Sequence, residues 1–117
     1  MTTIDRKHVS SRMSQIVVHG DTIYLAGQVA KNQSSGTVFE QTREILFQID
    51  SLLSEVGSDK TKLLSATIYL SNMSDFAAMN EVWDMWVAKD CAPARTCVEA
   101  RLANSDFRVE ITVVAAR

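Results

Sequence analysis

The amino-acid sequence predicts an α+β domain in which two helices pack on one face of a single mixed sheet. Two long segments carry apolar residues at helical spacing, and five shorter segments are rich in alternating apolar and β-branched residues. The chain has 117 residues, of which 46% are hydrophobic and 22% are charged. These values are typical of one soluble globular domain. The predicted order of elements is β-β-α-β-α-β-β, and it occupies residues 1–117 as a single domain.

The first two strands are predicted in the segment SQIVVHGDTIYLAGQVA, around a turn at residues 19–21. A glycine and an aspartate between two alternating segments are typical of a hairpin. Regular alternation would put Gly27 on the same face as Leu25, and Gln28 on the opposite face. The polar segment that follows, KNQSSG, is predicted to be a loop.

Two helices are predicted from the spacing of apolar residues. In residues 38–60, isoleucine, leucine and valine recur at helical spacing up to Gly57, which is expected to cap the C-terminus. Residues 74–90 begin with Ser74 or Asp75 as the N-cap. One stripe of this second helix is apolar and consists of Phe76, Met79, Trp83, Trp86 and Val87.

Three more strands are predicted, one between the helices and two after them. Residues 62–72 are apolar and β-branched, whereas residues 94–102 and 107–116 alternate. The last two are expected to pair as a hairpin through a turn at residues 104–106. Alternation would then place Val98 under the helices and Cys97 on the opposite face.

In such a hairpin, Arg95 and Glu110 would share a face, with Cys97 close by. One interpretation is a small anion site, in which the guanidinium binds a carboxylate and Glu110 holds a water molecule. The other is a cross-strand salt bridge, which would contribute about 0.5 kcal/mol to stability. Spacing alone favours the salt bridge, because ion pairs on sheets are commoner than sites.

The second face of the sheet needs a cover that one short chain does not supply. Its predicted side chains are a mixture of apolar and polar groups, too apolar in part for bare solvent: Tyr24, Thr67, Tyr69, Cys97 and Thr112. Such a face is typical of a subunit interface that contains clefts.

Several functional classes are disfavoured by composition. The net charge is −2 and no cluster of lysine and arginine is present, which disfavours nucleic acid as a partner. No apolar run reaches membrane-spanning length, and the N-terminus lacks the apolar core of a secretion signal. Cys91 and Cys97 suit free thiols in a reducing cytoplasm. His8 and His19 show no metal-ligand spacing, so no metal site is expected.

Four segments resemble the Rid (reactive intermediate deaminase, YjgF-like) family, and they occur in the family's order over nearly the whole chain. They are YLAGQVA, DFAAMNEVW, PARTCVEARL and VEITVVAA. The resemblance implies a chorismate-mutase-like fold and a homotrimer with clefts between subunits. It also implies an enzyme that hydrolyses 2-imino or enamine acids to 2-oxo acids and ammonia, without a cofactor.

The resemblance also implies roles for individual residues. Arg95 matches the arginine that binds the substrate carboxylate, and Cys97 matches the cysteine whose backbone N–H assists it. Glu110 matches the acid that positions the hydrolytic water, and Gly27 matches the backbone that lines the pocket. Met13, in SRMSQ, stands where the family archetype has a tyrosine, and this departure puts the preferred substrate in question.

Two other functions stay open on the sequence. One is a non-enzymatic module that uses the same cleft to sense a small carboxylate. The other is an endoribonuclease, an activity attributed to some relatives, which the acidic balance and the absence of a histidine pair disfavour.

Overall fold

The computed structural model describes residues 3–32 and 35–117. The predicted order of elements is confirmed, and one further strand precedes it. The predicted loop at residues 31–36 lies partly outside the described residues. The elements are β1 (Ile4–Val9), β2 (Ser14–His19), β3 (Thr22–Leu25), α1 (Val38–Glu55), β4 (Leu63–Leu70), α2 (Phe76–Trp86), β5 (Ala94–Glu99) and β6 (Val109–Ala116).

The strands form one sheet in the order β1-β2-β3-β6-β4-β5. β4 and β5 run parallel, and the other neighbouring pairs are antiparallel, so the predicted mixed sheet is confirmed. The predicted hairpin of the last two strands is wrong, because β4 lies between β5 and β6. A parallel pair of strands requires a long crossover, and α2 supplies it between β4 and β5. β6 then pairs with the other side of β4, so it does not contact β5.

β1 is the strand that the sequence pattern misses. Five of its six residues are exposed, so it has no buried face and no alternation of apolar and polar residues. It forms one edge of the sheet and pairs with β2 from Ile4 opposite His19 to Val9 opposite Ser14. His8 in this strand has a φ of 54°, and its imidazole Nε2 lies 2.8 Å from the Glu55 carboxylate at the end of α1.

α1 and α2 cover one face of the sheet, as predicted. The buried core lies between them and the sheet, and its fully buried members include Ile16, Ile23, Ile45, Ile49, Ile68, Met79 and Ile111. On the opposite face, side chains remain partly open to solvent in the single chain, with Tyr24 46% exposed and Val98 39% exposed. The predicted facing of β5 is therefore wrong. Cys97 lies opposite Ile68 and packs against the core, whereas Val98 lies opposite Tyr69 on the open face.

A β-bulge follows β3 and lies between Leu25 and Gln28, next to Gly27. Tyr24 pairs with Val114, but Gln28 pairs with Ile111, so four steps on one strand match three on the other. The extra residue reverses the alternation that the sequence predicts. Gln28 therefore turns into the core, where it is 3% exposed, and Gly27 turns to the open face.

The two helices differ in how their N-termini are capped. Thr37 and Glu40 form a capping box at the start of α1, and Gly57 after its end has a φ of 75°, in agreement with the predicted C-terminal glycine. Asp75 is the N-cap of α2 but makes no side-chain cap bond, and Asn72 instead caps the short 3-10 turn before it. Neither helix is long and apolar enough to cross a membrane, within the part of the chain that the structure describes.

Candidate functional site

Arg95 lies on the edge strand β5 and its side chain points towards α2. Nη1 of the guanidinium donates a hydrogen bond to Oδ1 of Asn80 at 2.8 Å. The guanidinium carbon lies 5.3 Å from the ring centre of Trp83 and 6.0 Å from that of Phe76. These distances are within the range of cation–π contact. α2 therefore holds the half-buried guanidinium in a defined position.

No carboxylate of the described residues forms an ion pair with Arg95. A guanidinium has five N–H donors, and one of them is used by Asn80. The remaining donors form a planar fork that matches a carboxylate in two places. Arg95 is therefore a half-buried cation without an acidic partner among the described residues, and this makes it the best candidate for binding an anion at this edge of the sheet.

Cys97 contributes its backbone rather than its thiol to this edge. The backbone N–H of Ala100 donates to the carbonyl of Leu70 on β4 at 2.9 Å. Because N–H groups alternate along a strand, the N–H of Cys97 points away from β4, towards the open edge beside Arg95. Burial raises the pKa of the Cys97 thiol, and the opposing effect of the Arg95 charge is smaller. The group is therefore a neutral thiol at physiological pH.

Glu110 lies on β6 and faces the open side of the sheet, opposite Tyr69 on β4. Its carboxylate packs directly over the backbone of Gly27. A β-carbon at Gly27 would lie 2.9 Å from the carboxyl carbon of Glu110 and would contact the carboxylate oxygen even more closely. Glycine is therefore required for the position of this carboxylate. Glu110 makes no side-chain hydrogen bond or ion pair with any residue in the described ranges.

Arg95 and Glu110 do not share a face in one chain, in contrast to the prediction. Arg95 lies opposite Ala66, which faces the core, whereas Glu110 lies opposite Tyr69, which faces outward. The interpretation of the pair as a cross-strand salt bridge is therefore wrong. The physical reason is the crossover through α2, which places β4 between the two strands, so that Arg95 shares a row with Val113 and Glu110 shares a row with Val98.

Met13 lies far from Arg95. It is in the tight turn between β1 and β2, where its backbone N–H donates to Oγ of Ser10 at 3.2 Å, and its side chain is 44% exposed. Four strand spacings separate β2 from β5, and they correspond to about 19 Å of sheet. Met13 and Arg95 therefore stand at opposite edges of one subunit.

The sequence reasoning missed Asn80 as a partner of Arg95. Its signal was visible, because Asn80 is a polar residue one position after Met79 in the apolar stripe of α2 and three positions before Trp83. Residues three apart on a helix lie on one side of it, so an asparagine beside a tryptophan next to the sheet could have indicated a hydrogen bond to a strand residue. Trp83 belongs to the predicted apolar stripe of α2; it is 4% exposed and also lies against the guanidinium of Arg95.

Two grooves on the surface of the single chain are lined by residues other than the predicted site residues. A polar groove of about 670 Å³ lies at the start of both helices and includes Thr37, Asn72 and Arg108. A groove of about 570 Å³ lies between α1 and α2. Within residues 3–32 and 35–117, no three histidine, cysteine or acidic side chains lie close enough together to hold a metal ion.

Comparison with known proteins finds relatives over the full described fold. The family model described as endoribonuclease L-PSP matches residues 3–117. The RutC family protein YoaB of Escherichia coli K12 is 46% identical over 114 residues, which cover 97% of this chain and 98% of that protein. A crystal structure of a YjgF family member from Neisseria meningitidis is 47% identical with a TM-score of 0.95, covering 98% of this chain and 95% of the other. A Rid family protein from Yersinia pestis is 27% identical with a TM-score of 0.84, over 93% and 90% of the two chains.

Proposed function

This chain belongs to the Rid family, which also includes the RutC and YjgF proteins, and on that basis we propose that it is a hydrolytic deaminase of 2-imino and enamine acids. The products are the 2-oxo acid and ammonia, and no cofactor takes part. The observation that carries this proposal is the half-buried guanidinium of Arg95, which is fixed by Asn80 and has no carboxylate partner in the described chain. A substrate carboxylate would supply that partner.

The site is assembled from two copies of the chain. Arg95 and the outward N–H of Cys97 lie at the β5 edge, whereas Glu110 and Gly27 lie on the open face and Met13 at the other edge. A substrate of a few heavy atoms cannot reach all of them within one subunit. If the open face of one copy meets the β5 edge of the next, both groups border one cleft. A homotrimer closes such a contact into a ring with three equal sites.

Each residue then has a distinct part in the reaction. Arg95 binds both oxygens of the substrate carboxylate, and the Cys97 N–H adds a third donor. The substrate enters as a protonated imine, whose C2 is electrophilic. Glu110 accepts a proton while water oxygen attacks C2, and the C=N double bond becomes a single bond. Glu110 then returns the proton to nitrogen and accepts the proton of the new hydroxyl group while the C–N bond breaks, so that the carbonyl forms and ammonia leaves.

Other groups at the site are not suited to the proton transfer or to covalent attack. Arginine stays protonated at working pH and cannot act as the base. Cys97 is a neutral thiol because burial raises its pKa, and the thiolate is the nucleophilic form. Glu110 is therefore the base of the proposed mechanism, with positioning of water and substrate supplying much of the rate.

The test is the variant Arg95→Ala, measured against 2-iminopropanoate that an amino-acid oxidase generates from alanine in the cuvette. We expect kcat/KM to fall by about 100-fold or more, because a charge-assisted, two-point contact to the carboxylate contributes about 2–3 kcal/mol. Arg95→Lys should recover only part of the rate, since an ammonium cannot orient a carboxylate in two places. Arg101→Ala, which removes an exposed arginine that follows β5, is the matched control and should keep full activity.

Two results would overturn the proposal. Wild-type protein that binds pyruvate but does not accelerate imine hydrolysis would be a carboxylate-binding module. Wild-type protein that cleaves RNA, with Arg95→Ala unchanged in that activity, would place its function outside this cleft. Melting temperatures of all variants separate these outcomes from unfolding, because loss of the contacts to Asn80 and Trp83 should cost about 1–2 kcal/mol and leave the chain folded.

A further inference from the structure

The groove between α1 and α2 lies on the outer side of the helices, away from the sheet. It has a volume of about 570 Å³, which is within the range of small-molecule sites. Most of the residues that line it are apolar, and two of them are unusually exposed for such side chains, with Phe47 and Met85 both 70% exposed. Trp86 and Phe39 border it as half-buried aromatic rings. Aromatic walls on two sides favour a flat apolar occupant.

Two cations at this groove lie against its aromatic rings. The guanidinium carbon of Arg43 is 6.0 Å from the ring centre of Phe39, and Nζ of Lys60 is 5.4 Å from that of Trp86. Lys60 also donates to the backbone carbonyl of Trp86 at 2.6 Å, which leaves two of its donors for another group. Neither cation forms an ion pair with an acidic residue of the described chain.

The one acidic side chain among the residues that line the groove is Asp50. Its Oδ2 accepts a hydrogen bond from the indole Nε1 of Trp86 at 3.0 Å. The lining residues therefore carry two positive charges and one negative charge, with a net charge of +1. The groove is therefore positively charged, although the whole chain has a net charge of −2. A monoanion complements it better than a neutral molecule or a dianion.

We propose that this groove is a second ligand site, which binds a flat apolar monocarboxylate such as an arylcarboxylic acid. The ring lies between Phe47, Met85 and Trp86, and the carboxylate reaches Arg43 and Lys60. The site is separate from Arg95, although the two are linked by adjacent rings: Trp83 stacks on Arg95, and its centre is 5.3 Å from that of Trp86. Binding here does not depend on the deaminase proposal.

The experiment uses 2-naphthoate as the probe and the indole N–H signals of the 117-residue chain as the readout in a ¹H–¹⁵N spectrum. The chain has two tryptophans, so two indole signals are expected, and Trp86→Phe assigns them. We expect the Trp86 signal to shift saturably with a Kd of about 1 mM or below, which is reasonable for a ligand of this size. The neutral amide, naphthalene-2-carboxamide, should bind about 10-fold more weakly.

Single substitutions locate the probe. Arg43→Gln and Phe47→Ser should each weaken binding by about 5-fold or more, the first through charge and the second through apolar contact. Arg6→Gln removes an exposed arginine on β1 and should leave the affinity unchanged. Arg95→Ala should also retain naphthoate binding, and Arg43→Gln should retain any imine hydrolysis, so that failure at one site is distinguishable from failure at the other.

Four results would overturn this assignment. They are a Trp86 signal that does not saturate at millimolar probe, an amide that binds as tightly as the acid, a normal affinity in Arg43→Gln, and loss of binding in Arg95→Ala. A change in sedimentation coefficient on Phe47→Ser would instead assign the groove to contact between copies of the chain.

Discussion

The two faces of the sheet differ in how a single chain completes them. Beneath the helices, Ile68 and Ile111 lie opposite each other and are fully buried. In the adjacent row, Thr67 just before Ile68 and Thr112 just after Ile111 also form an opposing pair, but they lie on the side that no helix covers. Folding of a single chain therefore buries the side chains of the covered face. The open face instead combines apolar area with polar groups that a further copy of the chain could contact.

The largest effect is expected from a charge on the open face. Thr67→Asp should convert the proposed trimer into folded monomers, because an unpaired carboxylate buried at an interface costs several kcal/mol, about 2–5 on typical values. Thr67→Ser is the control and should remain assembled. Sedimentation velocity together with circular dichroism measures both properties. A wild-type chain that is monomeric at micromolar concentration would show that the open face is not an interface between copies of the chain.

The complementary change on the covered face should act on folding instead. Ile68→Ala leaves a cavity at a fully buried site and should lower the free energy of unfolding by about 2–5 kcal/mol. Urea unfolding at constant protein concentration measures this loss, with Leu64→Ala, a half-exposed neighbour, as the reference. A loss below about 1 kcal/mol would mean that the helices pack on the sheet less tightly than the buried core indicates.

Glu110→Gln should separate chemistry from binding on the open face. The amide is nearly isosteric but cannot accept the proton of water, so kcat should fall by about 100-fold while pyruvate affinity is retained. Glu81→Gln, on the exposed surface of α2, is the matched control. Equal turnover by wild type and Glu110→Gln would show that this carboxylate only fills the space above Gly27.

The smallest effect is expected at Cys97. Because burial raises the pKa of its thiol, the thiolate fraction at pH 7 should be lower than in an unfolded peptide. Alkylation by iodoacetamide, followed peptide by peptide in mass spectra, should therefore be slower in the folded protein and should accelerate only at more alkaline pH. Cys97→Ala should keep most of the deaminase activity, since only its N–H is used. Labelling as fast as that of the peptide would contradict this account.

Much of the fold was predictable from sequence, for a physical reason. The helices and the central strands bury apolar side chains at regular spacing, and that regularity is visible in residues such as Ile45, Ile49 and Ile68. β1 was not predictable in this way, because an exposed edge strand has no buried face to impose a pattern. The partner of β5 was not predictable from turn residues, since strand order depends on packing between distant segments.

The candidate site shows the same division. Arg95 and Glu110 could be selected as chemistry-bearing residues, but alternation in a hypothetical hairpin placed them on one face. Their true relation depends on β4, which belongs to a different part of the chain. Asn80 and Trp83 position the guanidinium from α2, and no local pattern in β5 predicts which helix lies above it.

The bulge between Leu25 and Gln28 has a consequence for how this protein tolerates changes in chain length. Side chains on a strand alternate with a period of two, so one extra residue acts as a change of parity. Deleting Ala26 would restore even counting against β6, with three steps on each strand, so that Gly27 would still face outward opposite Thr112 and Gln28 would still face the core opposite Ile111. A single deletion at this point should therefore straighten the strand and keep the inside and outside positions as they are, because the bulge holds the one residue that the alternation can lose.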